Sequence, residues 1–125
     1  MKFYVTGPMS GMPGYNREAF VEMAEWLRAQ GHEVINPAEL DDGAEHEPYG
    51  QLLARDAHVI LTDEGLEGLV LLPGWSESGG SRMEIAAAQA VQLRLFFRDG
   101  DELREIWVAA EWDVEVVMDG DGGDS

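Results

Sequence analysis

Glu84 lies in the stretch of this chain that is best suited to hold a small molecule. Residues 69–72 are a short apolar run, typical of a strand buried on both faces, and Pro73-Gly74 ends it. Small and acidic residues follow, and the alanine-rich stretch from Arg82 to Leu93 then predicts a helix. Parallel α/β sheets bind ligands at such a junction, at the carboxyl end of a strand. The free N–H groups of the first helical turn favour an anion there.

The spacing of Glu84 from Ser81 has two interpretations. Ser81-x-x-Glu84 fits a capping box, in which the serine and the glutamate satisfy each other's free amides at the start of a helix. Glu84 is equally a carboxylate at a ligand site, where the partial positive charge of the helix N-terminus would keep it ionised. The spacing alone leaves both roles open.

The composition limits the classes of partner. The chain has 125 residues, enough for one domain with a substantial core, and its net charge of −17 argues against binding to duplex DNA or to an anionic membrane. It has no cysteine, which excludes disulfides and thiolate chemistry and fits a reducing cytoplasm. No apolar stretch approaches the length of a membrane span, and the N-terminus lacks a signal-peptide pattern. We predict one domain over residues 1–118 and an acidic, disordered tail over residues 119–125.

The N-terminal part of the chain predicts a strand, a loop, a helix and a second strand. Residues 2–6 are β-prone, and the loop from Gly7 to Gly14 is rich in glycine and proline. Asn16 is a suitable N-cap for the helix that follows, and Gly31 is suited to end it. Residues 33–36 predict the second strand. Two strands joined through a helix in one sheet run parallel.

Strand and helix continue to alternate in the rest of the chain. In order, the further predicted elements are a helix over 48–61, the strand over 69–72, the helix from Arg82, a strand over 94–97, a helix over 102–111 capped by Asp101, and an edge strand over 112–117. Asp56 falls inside the first of these helices. The alternation predicts an α/β fold, namely a three-layer, Rossmann-like or flavodoxin-like sandwich with a mostly parallel sheet of four or five strands.

Several short motifs together resemble those of one family. They are Tyr4-Val5-Thr6-Gly7-Pro8-Met9-Ser10-Gly11, the following Asn16 and Asn36-Pro37, Leu72-Pro73-Gly74-Trp75, and Ser78-x-Gly80-x-x-x-Glu84. Over roughly residues 2–97 the chain resembles nucleoside 2-deoxyribosyltransferase-like proteins, in particular a phage and bacterial branch with Gly-Pro-Met and Leu-Pro-Gly-Trp signatures. Relatives of this branch include deoxynucleoside 5′-monophosphate N-glycosidases. The resemblance implies a small-molecule nucleoside or nucleotide as substrate, a homodimer or higher homo-oligomer in the cytoplasm (of the host, for a phage protein), and no metal or other cofactor.

The resemblance also implies roles for individual residues. Glu84 matches the glutamate nucleophile, Asp56 the carboxylate that protonates the departing base, and Tyr4 the hydroxyl that positions the nucleophile. The implied substrate-binding residues are Gly7, Pro8, Met9, Ser10, Gly11, Asn16, Trp75, Ser78, Gly79 and Gly80.

Two carboxyl groups suit the cleavage of an N-glycosidic bond. The reaction generates positive charge at C1′ of the sugar and negative charge on the base. One carboxylate can therefore trap the sugar covalently while a protonated carboxyl donates to the base. Burial and like charge can push the pKa values of two such groups apart. Water as acceptor gives hydrolysis and a second base gives transfer, and the sequence leaves both open.

Two further functions are open. A protein that retained the fold could bind a nucleotide or inhibit a partner without catalysis, because fold alone does not determine function. Ser10 stands where the monophosphate glycosidases have a basic residue, which favours a changed ligand or a binding protein unless Arg17 or Arg82 supplies the charge. A dinucleotide-binding domain is the third interpretation, but Gly7-x-x-x-Gly11 does not fit the dinucleotide fingerprint. The three candidate catalytic residues together favour an enzyme.

Overall fold

Strands and helices alternate through most of the described part of the chain. The computed structural model describes residues 1–40 and 49–109. The elements, in chain order, are β1 (Lys2–Thr6), α1 (Arg17–Ala29), β2 (Glu33–Ile35), α2 (Pro37–Leu40), α3 (Tyr49–Thr62), β3 (Gly68–Leu71), α4 (Gly79–Ala90), β4 (Arg94–Asp99) and β5 (Glu102–Ile106). Short 3₁₀ turns at Pro13–Asn16 and Trp75–Glu77 precede α1 and α4. The short helix α2 was not among the predicted elements.

The strands form one sheet in the order β2-β1-β3-β4-β5. β1 pairs in parallel with β2 and β3, β3 pairs in parallel with β4, and β5 pairs antiparallel with β4. The predicted α/β class with a mostly parallel sheet is confirmed. From β1 the chain moves to one side for β2 and then to the other side for β3, so the strand order reverses at β1. Ligands bind at such a switch point, beyond the carboxyl ends of the strands.

Alternating side chains of the central strands build a core on each face of the sheet. The cluster on the α1 and α2 face contains Phe3, Val5, Phe20, Met23, Leu27, Ala38, Val70, Leu72 and Phe96. The cluster on the α3 and α4 face contains Tyr4, Ile60, Leu66, Leu69, Leu71, Ile85, Ala88 and Leu95. Helices therefore cover both faces, which confirms the three-layer arrangement.

Residues 102–106 form a strand, so the helix predicted over 102–111 is wrong. Leu103 and Ile106 are three residues apart and fit one face of a helix, but in β5 they pack against the clusters on opposite faces of the sheet. Gly100, with a φ of 62°, opens the two-residue loop between β4 and β5, where a type II′ hairpin turn needs a positive φ. Two ion pairs join the strands of this hairpin, Arg94–Glu105 and Arg104–Asp99.

Two of the predicted segments cannot be compared with the fold. The edge strand over 112–117 and the acidic tail over 119–125 lie outside the described residues. Within residues 1–40 and 49–109, none of the helices is both long enough and apolar enough to cross a membrane.

Candidate functional site

A cavity of about 300 Å³ lies beyond the carboxyl ends of β1 and β3, at the switch point of the sheet. The loop after β1, the start of α1, the short α2, the middle of α3 and the first turns of α4 contribute to its walls. The residues that line it are Gly7, Met9, Ser10, Gly14, Tyr15, Arg17, Phe20, Pro37, Ala38, Leu52, Leu53, Asp56, Ser78, Gly80, Ser81 and Glu84. Apolar side chains dominate the walls from α1, α2 and α3, and small polar residues dominate the wall from α4.

The loop after β1 is held close to the sheet. A Cβ atom at Gly7 would lie 2.6 Å from Cβ of Leu72 and 2.8 Å from its Cδ1, so only glycine fits where β1 ends beside β3. Asn16 occupies the predicted N-cap position of α1, but its φ is 58° and its side chain makes no cap hydrogen bond. Its Nδ2 instead donates to the carbonyl oxygen of Pro8 at 3.0 Å, which ties the two ends of the loop together.

The start of α4 differs from the prediction and changes the interpretation of Glu84. The helix begins at Gly79 rather than at Arg82, and Ser78 is its N-cap, with Oγ accepting a hydrogen bond from Ser81 N at 3.2 Å. The capping-box interpretation of Ser81 and Glu84 is therefore wrong. Glu84 lies in the second turn of α4, where its side chain is directed toward β1.

The carboxyl group of Glu84 is buried and accepts hydrogen bonds at both oxygens. The residue is only 6% exposed. The Tyr4 hydroxyl lies 3.2 Å from Oε2, and the Thr6 hydroxyl lies 2.7 Å from Oε1. Tyr4 and Thr6 point to the same face of the sheet because side chains two residues apart on a strand share a face. β1 thus holds the carboxyl group at the wall of the cavity.

Asp56 of α3 lines the same cavity and is also only 6% exposed. Its Oδ1 accepts a hydrogen bond from Nη2 of Arg55 at 3.1 Å. Asp56 is close enough to Glu84 for the two carboxyl groups to repel each other when charged and to share a hydrogen bond when one is protonated. Tyr4, Asp56 and Glu84 are far apart in the sequence, and the fold brings them to one place.

The surroundings of Glu84 favour its protonated form. Burial is the largest effect on Glu84 and, together with the charge of Asp56 and a hydrogen bond to it, raises the pKa of Glu84 from 4.5 to about 8, although hydrogen bonds from Thr6 and Tyr4 act to lower it. The expectation that the helix N-terminus keeps Glu84 ionised is therefore wrong, since that field fades beyond the first turn. Burial, and then the charges of Glu84 and Asp56, raise the pKa of Tyr4 well above 10.0, so its hydroxyl stays protonated and can donate. With a pKa of about 8, the carboxyl group of Glu84 holds its proton at neutral pH.

The predicted substrate-binding residues fall into two groups. Those that line the cavity are Gly7, Met9, Ser10, Ser78 and Gly80. Those that lie outside its lining are Pro8, Gly11, Asn16, Gly79 and Trp75. Trp75 packs instead against the core cluster on the α3 and α4 face, and Asn16 acts on the loop through Pro8.

Several lining or supporting residues were not singled out from the sequence. Thr6 and Ser81 have buried side chains. Thr6 contacts Glu84 directly, and Ser81 contacts Thr6. The alternation Tyr4-x-Thr6 at the end of a strand was the signal that could have revealed Thr6. Tyr15 is half exposed at the cavity mouth and has a φ of 55°, between two residues that also have positive φ. An aromatic residue in left-handed backbone is strained, and such strain is concentrated at ligand sites.

No metal site accompanies these residues in the part of the chain that the structure describes. Within residues 1–40 and 49–109, no group of three or more His, Cys, Asp or Glu side chains is arranged to hold a metal ion.

Comparisons with known proteins identify a family but no described activity. A family model with the description "Domain of unknown function (DUF4406)" matches residues 1–97, about three quarters of the chain and all of the cavity-lining residues. Neither the search of curated proteins nor the search of solved structures gave a match.

Proposed function

The chain belongs to the family described as a domain of unknown function (DUF4406), and from the geometry of its cavity we propose that it cleaves the N-glycosidic bond of a nucleoside or nucleoside 5′-monophosphate. The observation that carries the proposal is the pair of buried carboxyl groups, Glu84 and Asp56, in one cavity with the Tyr4 hydroxyl bound to Glu84. Tyr4 and Glu84 lie in the motifs that resemble nucleoside 2-deoxyribosyltransferase-like proteins, and the same resemblance assigns the acid to Asp56.

The proposed reaction uses the two carboxyl groups in different protonation states. The reactive form has Glu84 as the carboxylate and Asp56 as the acid. This form is reached when the proton of Glu84 crosses the hydrogen bond to Asp56. An oxygen of Glu84 forms a bond to C1′ of the sugar as the C1′–N bond breaks, and Asp56 donates its proton to the leaving base. Water or a second base then attacks C1′, returns its proton to Asp56 and releases Glu84, which gives hydrolysis or transfer respectively.

The cavity offers different surroundings to the two ends of such a substrate. The base must lie beside Asp56, where Leu52 and Leu53, about one helical turn earlier on α3, provide an apolar wall. The 5′ end fits the wall formed by Ser78 and Gly80, where the first N–H groups of α4 favour an anion. Ser10 stands where the monophosphate glycosidases have a basic residue. Arg17 also lines the cavity and supplies a positive charge in its stead, so a 5′-phosphate is compatible with the site.

We further propose that the protein acts in the cytoplasm as a homodimer or higher homo-oligomer. Trp107 is 83% exposed at the end of β5, and a large exposed aromatic side chain is a frequent component of protein interfaces. Light scattering should give a mass of at least twice 13.8 kDa. A particle of 13.8 kDa at micromolar concentration would contradict the oligomer.

The direct test is to incubate the protein with a panel of ribonucleosides, deoxynucleosides and their 5′-monophosphates. The free base released from each is measured by chromatography. We expect release from at least one member, loss of release in Glu84→Ala, and a fall of roughly 10²- to 10⁴-fold in Asp56→Asn, the range for loss of a general acid. Glu77→Gln removes a charge from an exposed residue of the neighbouring loop and should retain activity. Mass spectrometry of acid-quenched wild type should show protein carrying one sugar unit.

The outcomes separate the mechanisms. Full turnover by Glu84→Ala would exclude the covalent glycosyl-glutamate intermediate. Full turnover by Asp56→Asn would exclude Asp56 as the acid. Binding of a nucleotide by calorimetry, without release of base from any substrate, would instead support the alternative of a non-catalytic nucleotide-binding protein.

A further inference from the structure

Glu84 is connected to the start of its own helix by a chain of hydroxyl groups. The Thr6 Oγ1 atom lies 2.7 Å from Oε1 of Glu84 and 3.0 Å from Oγ of Ser81. Thr6 is 0% exposed and Ser81 is 1% exposed, so water does not compete for these bonds. The amide of Ser81 donates in turn to Oγ of Ser78, the N-cap of α4.

Counting protons fixes the direction of the chain. A hydroxyl group has one proton to donate and two lone pairs. In the reactive form Glu84 is a carboxylate and only accepts, so the Thr6 hydroxyl gives its proton to Oε1 in the shorter of its two contacts. Thr6 Oγ1 must then accept from the Ser81 hydroxyl. The chain runs from Ser81 through Thr6 to Glu84, and each donation strengthens the next one.

β1 places two donors on either side of the carboxyl group. Tyr4 and Thr6 are separated by two residues, roughly 7 Å along a strand. Each of them contacts a different oxygen of Glu84. The Tyr4 contact is the longer one, at 3.2 Å, and it is made by the end of a long side chain. The Thr6 contact is short and is made by an atom only two bonds from Cα of a central strand, so it restricts the carboxyl group more tightly.

We propose that Thr6, oriented by Ser81, is a positioning residue that holds the carboxyl group of Glu84 for attack on the sugar. This inference rests on the proposed function. A donor to an anion stabilises the charged form, so the hydroxyl chain also opposes the burial and the repulsion that favour the neutral form of Glu84. The titratable and charged groups around Glu84 are Tyr4 of β1, Asp56 and Arg55 of α3, Tyr15 in the loop after β1, and Arg17 of α1.

The test compares Thr6→Val, which keeps the shape and removes the hydroxyl, with Thr6→Ser, which keeps the hydroxyl. A hydrogen bond to a charged group corresponds to roughly a 10- to 100-fold effect on rate, so kcat of Thr6→Val should fall by that factor and its acid limb should move to higher pH. Thr6→Ser should recover kcat to within about threefold of wild type, well inside one tenfold step. Ser81→Ala leaves Thr6 in place and should give an intermediate loss, which covers the case in which Thr6→Val does not fold.

A second readout does not depend on activity. Titration of the Glu84 side-chain carboxyl by ¹³C NMR should give a midpoint roughly one to two pH units higher in Thr6→Val than in wild type, with Thr6→Ser close to wild type. Equal midpoints in the two Thr6 variants would overturn the inference, as would an unchanged kcat with a shifted midpoint. No base release by wild type, together with the shifted midpoint in Thr6→Val, would overturn the proposed function and leave the hydroxyl chain established.

Discussion

The raised pKa of Glu84 predicts that the protein loses stability as the pH rises. The folded protein binds the Glu84 proton more tightly than the unfolded chain does, because the pKa is about 8 in the fold and 4.5 for an ordinary glutamate. The corresponding stability is fully present below pH 4.5 and is lost as the pH rises through about 8. At about 1.4 kcal/mol for each pKa unit, the total loss is roughly 5 kcal/mol. That is a large fraction of the 5–15 kcal/mol typical of a domain, as an order of magnitude.

Glu84→Gln isolates this effect. The carboxamide keeps the shape and the hydrogen-bonding reach of the side chain but does not ionise, so the decline between pH 5 and pH 9 should be several kcal/mol smaller in the variant, on the order of the roughly 5 kcal/mol above. The measurement is the free energy of unfolding from urea titrations followed by tryptophan fluorescence, at one-unit steps of pH. At pH 9 the variant should be more stable than wild type.

The control is Glu77→Gln, which removes one negative charge at an exposed position. Its free energy of unfolding should vary with pH as in wild type. Glu77→Gln and Glu84→Gln remove the same charge, but only Glu84 is buried. Parallel curves for wild type and Glu84→Gln would refute the reasoning, since they would mean that Glu84 ionises in the fold as easily as in the unfolded chain.

Two further predictions concern packing. Gly7→Ala should destabilise the protein by roughly 1–3 kcal/mol in thermal unfolding, because its Cβ would meet Leu72, whereas Gly50→Ala, in open space on α3, should be neutral or slightly stabilising. Equal effects of the two alanines would contradict the close approach at Gly7. Arg98→Ala should cost about 0.5–1 kcal/mol and alter the fluorescence of Trp26, because the guanidinium lies 4.2 Å from the centre of that ring. An unchanged emission spectrum would show that the two side chains are apart in solution.

Much of the fold could be predicted from local patterns. The apolar residues of α1 recur at helical spacing and are buried in the structure. The helix ends just before Gly31, and the apolar run of β3 forms a buried strand. β5 could not be separated from a helix, because Leu103 and Ile106 have a spacing that suits either element. Only its pairing with β4, a contact with another strand, decides between them.

The fold brings some of the predicted site residues together, but their electrostatics could not be predicted from the sequence. Tyr4 and Glu84 were singled out from motifs and Asp56 from the wider resemblance, and the fold places the three together around one cavity. The pKa of Glu84 depends on its burial and on its distance from Asp56, and neither quantity is encoded in local spacing. The start of α4 was predicted at Arg82 instead of Gly79 for a similar reason. Ser78 and Ser81 are both acceptable N-caps by sequence.

The alternation in β1 also determines how the sheet must be aligned. Both faces of β1 are buried, so apolar burial alone discriminates weakly between the observed pairing of Tyr4 with Leu69 and one shifted by a residue. A shift by one residue would turn Phe3 and Val5 toward Glu84 and leave a buried carboxyl group without either of its donors from β1. A buried polar group without hydrogen-bond partners costs about 1–3 kcal/mol, and more when it is charged. The polar contacts of the candidate site therefore help to set the register of β1. The hydroxyl groups that bind Glu84 also make the shifted pairing less stable than the observed one.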